Sequence, residues 1–245
     1  MTELIKLHKN IGETPLECII RFRGDHTQYT DTNMTYLGRL DPMAEGLLLV
    51  LAGNTSDKKK YLEWDKTYEF EVLWGFNTDT YDTLGLVTDV GTSPQKLEVK
   101  IKKLLENISA KKTQAYPPYS SRTVGGKALH TWAREGRIDE IEIPTRNIKI
   151  FSIEHLNTRY VDQEEILKEI IEKIDLVNGD FRQEQIKKLW EKSLVAGEKS
   201  LISSFRVDVS SGTYIRSLAH EMGEILGTGA LAYSIKRTRV GEHEL

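Results

Sequence analysis

Asp41 is placed where a carboxylate could do chemistry. It lies in Gly38-Arg39-Leu40-Asp41-Pro42-Met43-Ala44-Glu45-Gly46, which runs directly into Leu47-Leu48-Leu49-Val50-Leu51. Pro42 biases Asp41 towards an extended backbone, so the carboxylate stands on a loop rather than in a helix. The apolar run after Gly46 reads as a strand buried on both faces, a rigid support for that loop. A carboxylate so held can act as a nucleophile or a base. Taken alone, a turn aspartate bonding its own backbone is the ordinary reading. A second reactive type is Arg216, in the first turn of a helix over Tyr214–Leu226 that Thr213 is expected to cap. The helix dipole disfavours a cation there by about 0.3–1 kcal/mol, so Arg216 calls for a nearby anion. A third is Tyr68, which opens the apolar face of an alternating stretch; a core tyrosine with its hydroxyl at the rim is the commoner case.

Other clusters are weaker. Asp79 and Asp82 are three apart, whereas a calcium loop needs acids at alternate positions. His220-Glu221 lacks the second histidine of a zinc helix, so no metal site is expected. Cys18 is the only cysteine, which excludes an internal disulfide.

The elements that must position these residues can be read from periodicity. Leu4–Leu7 is a short strand, and Thr14 caps a helix from Pro15 to Arg23. Gly24–Tyr36 reads as an irregular loop feeding the Asp41 turn. Thr67–Trp74 alternates, with Tyr68, Phe70, Val72 and Trp74 on one face, and predicts a half-buried strand. Gln95–Ile108 is an amphipathic helix. A Pro-rich segment, Gln114–Arg122, precedes a helix over Ala128–Glu135, and Ile141–Leu156 is a strand region. Two charged amphipathic helices follow, Gln163–Ile174 and Gln183–Leu194, joined around Asn178-Gly179-Asp180. Ser204–Val209 returns to alternation, and Ala230–Ile235 closes the pattern ahead of a basic tail, Lys236–Arg239.

Of 245 residues, 39% are hydrophobic and 29% charged, enough for a sizeable core, with no signal peptide or membrane span; a cytoplasmic protein fits. The net charge of −3 hides an asymmetry. Lys100–Arg137 carries nine Lys or Arg against two Glu, a local +7, whereas Val161–Glu198 has ten acids and six bases, a local −4. Basic residues mixed with aromatics on a loop suit RNA.

The Asp41 stretch resembles the G-x-L-D-P-x-A-x-G-x-L motif of the tRNA pseudouridine-55 synthase (TruB) family. So do Lys9–Thr14, the Lys66-Thr67-Tyr68-Glu69 strand, the T-D-T-x-D connector at Thr78–Asp82, the Gln114–Lys127 block, Ser211–Ala219 and Lys236–Gly241. The ribosomal-RNA pseudouridine synthases share only the Arg39-Leu40-Asp41 core and are the runner-up; a catalytically idle RNA-binding or RNA-folding module is the non-enzymatic alternative. The resemblance implies an α+β pseudouridine synthase fold, a mixed, mostly antiparallel sheet with surrounding helices. It implies one catalytic domain over 1–245 with a helical insertion at about 161–203. The implied reaction isomerises a uridine of RNA, taken to be uridine 55 in the tRNA T arm, without metal or cofactor. Asp41 is then the nucleophile, attacking the uracil ring or the ribose, while Arg216 pairs with and aims it. Tyr68 stacks on the flipped base as the acid/base, with Ile235 and Leu40 packing the base. Lys9, Tyr36, Arg39, Arg122, Lys127, Lys236 and Arg237 are the expected RNA contacts. Tyr36 and Arg39 stand where the family has histidine and threonine. RNA is the expected partner, for a monomer with no obligate protein partner. Ending at Leu245, the chain leaves no length for the further RNA-binding (PUA) domain of bacterial members, so a compact recogniser is expected.

Overall fold

The computed structural model describes residues 2–245. In chain order, β1 (Thr2–Lys9) leads to α1 (Pro15–Asp25), whose entry is fixed by a reciprocal pair: Glu17 N–H donates to Thr14 Oγ1 and Thr14 N–H donates to Glu17 Oε2. Then come β2 (Met34–Tyr36), β3 (Ala44–Gly53), α2 (Lys58–Leu62), β4 (Lys66–Trp74), β5 (Phe76–Thr78), β6 (Val87–Val90) and α3 (Leu97–Ser109). The middle holds β7 (Thr113–Ala115), β8 (Thr123–Val124), β9 (Lys127–Ala128), α4 (Leu129–Arg134), β10 (Thr145–Asn147) and β11 (Ile150–Asp162). The insertion helices α5 (Gln163–Asp175) and α6 (Gln183–Ser193) precede β12 (Lys199–Val209), α7 (Ile215–Leu226), β13 (Ala230–Val240) and β14 (His243–Glu244).

The main sheet runs β1-β3-β13-β4-β12-β11, with β2 on β3 and β14 on β13. Only β3 and β13 pair in parallel, so the sheet is mixed and mostly antiparallel, as expected. That parallel contact is tight. Gly46 pairs with Arg237, and a Cβ at Gly46 would lie 2.3 Å from the Arg237 carbonyl oxygen. At φ +108 the position admits glycine on both counts. The stretch expected to be an irregular loop contains β2. It hydrogen-bonds the part of β3 (Val50–Ala52) that β13 leaves unpaired, since an open edge there would strand buried backbone groups.

One sheet face packs Phe70, Val72 and Trp74 against α3 and α7 through Leu104, Ile108, Leu218 and Met222. On the opposite face, Leu73, Ile202, Leu231 and Tyr233 meet Ile166, Ile170 and Trp190 of α5 and α6. β4 is therefore covered on both sides near Leu73 and is not the half-buried strand that alternation predicts; only Glu69 is exposed along it. Among the described residues no helix is long and apolar enough to cross a membrane.

Candidate active site

Asp41 lies between β2 and β3, in a loop held from behind by buried cations. Lys9 of β1 is fully buried; its ammonium donates to the carbonyls of Ala44 (2.6 Å), Asn10 (3.0 Å) and Pro42 (3.5 Å). Arg237 of β13 is 1% exposed and donates to the carbonyls of Leu47 (2.8 Å), Arg39 (3.3 Å) and Gly38 (3.4 Å). Both were expected to meet RNA, and neither is free to. Their positive charge is spent on main-chain carbonyls of the loop and of the start of β3. Burial pulls the Lys9 ammonium down to about 8, against the opposing pull of Glu13 and Asp41.

Arg216 comes from the first turn of α7, across the site. It is 3% exposed, and its Nε donates to Asp41 Oδ2 at 2.8 Å. Nη1 donates to the Thr80 carbonyl at 2.6 Å, and Nη2 to the Tyr119 carbonyl at 3.3 Å. Asp82 is the second carboxylate, 3.5 Å from Arg216 Nε. Burial opposes the guanidinium's charge, but Asp41 and Asp82 outweigh it and hold Arg216 above its ordinary value. For Asp82 burial wins: it lifts the carboxyl from 3.8 to about 6, against Arg216 and the Thr80 hydroxyl. The anion that Arg216's place in the helix calls for is thus a pair of carboxylates on two different loops.

The start of α7 differs from its expected form. Thr213 does not cap it; its hydroxyl donates to the Ser210 carbonyl. The side chain of Gln114 serves instead, accepting from Tyr214 N–H at 2.8 Å and donating to the Tyr214 carbonyl at 3.2 Å. A turn hydroxyl and a capping hydroxyl have the same sequence signature.

Over Asp41 opens a cavity of about 690 Å³. Tyr68, Leu40 and Ile235, all buried, line it beside Asp41 and Arg216. Ile235 sits opposite Phe70 and Arg237 opposite Tyr68 in the β13–β4 register, which brings Tyr68 and Ile235 to one end of the sheet, while Leu40 comes from the loop before β3. Tyr36 is half-buried on the cavity wall with the Lys58 ammonium 5.0 Å from its ring centre, and Arg39 is exposed at the rim. Buried Ser120 also lines the cavity; its hydroxyl has no hydrogen-bond partner among the described residues.

Besides buried Lys9, three of the expected RNA contacts lie outside the cavity lining. Arg122 is exposed with its guanidinium 5.4 Å from the Tyr116 ring, and Lys236 is half-buried. Lys127 pairs with Glu135 at 2.8 Å and covers Trp132, so its charge is already answered. The basic segment is broken up further by Lys111–Glu221 and Arg137–Glu140 pairs. Sequence reasoning missed Asp82 as a site residue; its signal was the connector motif, where it reads as a turn aspartate. It missed Lys66 as well, whose ammonium holds the Leu62 and Trp64 carbonyls and Ser211 Oγ behind the cavity. Burial draws that ammonium down to about 8.

Comparison with known proteins agrees with this geometry. The family model "TruB family pseudouridylate synthase (N terminal domain)" matches residues 27–176, more than half of the chain. A tRNA pseudouridine synthase B of Syntrophomonas wolfei is 34% identical over 209 residues, covering 84% of this chain and 56% of the relative. That of Bacillus cereus is 30% identical over 244 residues, covering 99% and 67%. The chain thus spans a little over half to two thirds of the length of these curated relatives. Among solved structures, a Cbf5-Nop10-Gar1 complex aligns at a TM-score of 0.57 with 22% identity, over 98% of this chain and 49% of the other, a likeness of fold. With the motif order, the Asp41–Arg216 pair and these matches together, the chain belongs to the TruB family of pseudouridylate synthases.

Proposed function

We propose that this protein converts a uridine of tRNA to pseudouridine, at position 55 in the T arm, as a monomeric catalytic domain without metal or cofactor. The observation that carries the reading is the Asp41 carboxylate. It is held at 2.8 Å by a buried arginine and left one-third exposed on the floor of a cavity walled by Tyr68, Leu40 and Ile235. A flat, uncharged base fits such walls, and a target base must leave its stack to enter.

Asp41 attacks the uracil ring or the ribose anomeric carbon, and the N1 glycosidic bond breaks. The uracil turns within the cavity, a bond forms from C5 to the sugar as the bond to Asp41 breaks, the C5 proton is lost and N1 takes one up; product and substrate are isomers. Arg216 orients the carboxylate through its fixed guanidinium plane. Tyr68 stacks on the base and is placed to exchange the C5 proton. Leu40 and Ile235 pack the base and exclude water. Arg39, exposed at the rim, fills the gap that the flipped uridine leaves in the RNA. We take residues 1–245 as one catalytic domain with its insertion at about 161–203, since the insertion helices α5 and α6 pack on the same main sheet whose strands carry Tyr68 and Ile235.

The test is to incubate the protein with unmodified tRNA and map pseudouridine by sequencing. Modification at position 55 by the wild type and none by Asp41→Asn is the expected result. Modification only in ribosomal RNA would move the substrate, and no modification of any RNA would leave an RNA-binding module.

A further inference from the structure

The insertion reaches the cavity at one place. Of α5, α6 and their connection, only Phe181 and Arg182 line it. Arg182 has φ +64, a left-handed backbone that a residue with a side chain holds only when its surroundings impose it. The imposing contacts are specific. The guanidinium forks onto Asp79, Nη1 to Oδ2 at 2.7 Å and Nη2 to Oδ1 at 3.4 Å, and lies 4.7 Å from the centre of the Tyr119 ring.

Asp79 and Tyr119 lie at the two places where Arg216 is anchored to the main chain, one beside its anchor and one being the anchor itself. Arg216 donates to the carbonyl of Thr80, next to Asp79, and to the carbonyl of Tyr119 itself. Asp79 Oδ1 also accepts from Leu86 N–H at 2.8 Å, so the turn carrying Thr80 moves with it. The insertion's connection is pinned as well: Asn178 donates to Glu17 at 3.1 Å, and Gly12 packs so closely on Leu176 that a Cβ there would lie 2.5 Å from its carbonyl oxygen. Trp190 of α6 donates to the Thr83 carbonyl at 3.1 Å, on the same connector. We infer that Arg182 is a positioning residue for Arg216: by gripping Asp79 and Tyr119 together, the insertion fixes the two carbonyls that aim Arg216 at Asp41.

A guanidinium is needed for this, because it can fork onto a carboxylate and stack on a ring at once, whereas an ammonium keeps only the charge. The effect on rate rests on the isomerase reading above; the effect on the order of Arg216 does not. Protein labelled with ¹⁵N-arginine separates the two. The Arg216 Nε–H signal is identified by its loss in Arg216→Lys, and its solvent exchange is compared in wild type, Arg182→Lys, Arg182→Ala and Lys187→Ala. Lys187 pairs with Asp175 inside the insertion, away from the cavity lining. Exchange should be about tenfold faster in Arg182→Ala, intermediate in Arg182→Lys and unchanged in Lys187→Ala. The single-turnover rate at saturating tRNA should fall about tenfold in Arg182→Ala, with Kd within about twofold. The acid limb of its pH–rate profile should also move to higher pH, as Asp82 loses part of the Arg216 charge that keeps its carboxyl from rising further. Unchanged Arg216 exchange in Arg182→Ala overturns the inference whether or not RNA is turned over. A raised Kd with an unchanged saturated rate also overturns it, making Arg182 an RNA ligand. If Arg182→Ala does not fold, the same comparison is read from Arg182→Lys. Faster exchange in a protein that modifies no RNA would support the inference and sink the isomerase reading alone.

Discussion

The loop around Asp41 and the insertion helices α5 and α6 both contain many charged side chains, and they use them differently. Around the loop the cations point inward: Lys9, Arg216 and Arg237 are buried, and between them they hold eight carbonyls and two carboxylates. In the insertion the interior is apolar, through Ile166, Ile170, Ile186 and Trp190, while ions such as Lys187, Asp175 and Glu184 pair at the surface. Inward cations determine where an irregular backbone goes, because a buried carbonyl left unpaired costs about 1–3 kcal/mol. Surface pairs contribute little to stability and mostly set solubility and long-range charge. A net charge, whether −3 for the chain or −4 for the insertion, does not separate the two uses.

The sharpest test of that contrast is at Asp41. Asp41→Asn should abolish turnover while RNA affinity stays within a few-fold; product from a clean single-turnover preparation would show that the nucleophile lies elsewhere. Arg216→Lys keeps the charge and loses the fork, so kcat should fall by about a hundredfold or more, with far less change in Kd. A loss entirely in binding, with a salt slope reduced by about one contact, would instead make Arg216 a phosphate ligand.

Stability should divide along the same line. Arg237→Ala removes the donor from one buried carbonyl, that of Leu47, and from the partly buried carbonyls of Gly38 and Arg39, and should lower unfolding stability by about 2 kcal/mol, read from urea melts. Lys187→Ala should leave the midpoint where it is. Equal losses for the two would erase the distinction between inward and outward charge.

Asp82 provides a pH test. Its carboxyl is raised in the folded protein from 3.8 to about 6, with Arg216 and Asp41 facing it. Between those values the folded state binds the extra proton, so this group's contribution to stability declines as pH rises from 3.8 to about 6. Asp82→Asn should flatten that part of the stability curve; an unaltered slope would mean that another group produces it. The smallest effect is expected at exposed Arg39. Arg39→Thr should weaken structured substrates a few-fold more than single-stranded ones, and equal losses on both would remove Arg39 from the flipping step.

Much of this protein is local in origin and legible as sequence. Pro42 and the apolar run after it place Asp41 on a loop ahead of a buried strand, and Thr14 with Glu17 starts α1. The stripes of α3, α5, α6 and α7 follow from helical periodicity, which acts between residues three and four apart. The motif order named the family for the same reason: each motif is a short stretch with its own turn or strand geometry. What the sequence could not assign was the fate of each charge. Lys9 and Arg237 look like any basic residues bound for RNA, and Asp82 like any turn aspartate. Apart from Asn10 beside Lys9 and Thr80 and Leu84 beside Asp82, their partners lie 33 to 199 positions away, with Arg237 brought to Gly38 by the parallel pairing of β13 on β3 and Arg216 brought to Asp41 across 175 residues. Residue type determines which charges a chain carries. Whether a cation meets solvent or a buried carbonyl depends on strand register and on which loops pack above it, and those are decided only when the whole sheet has closed.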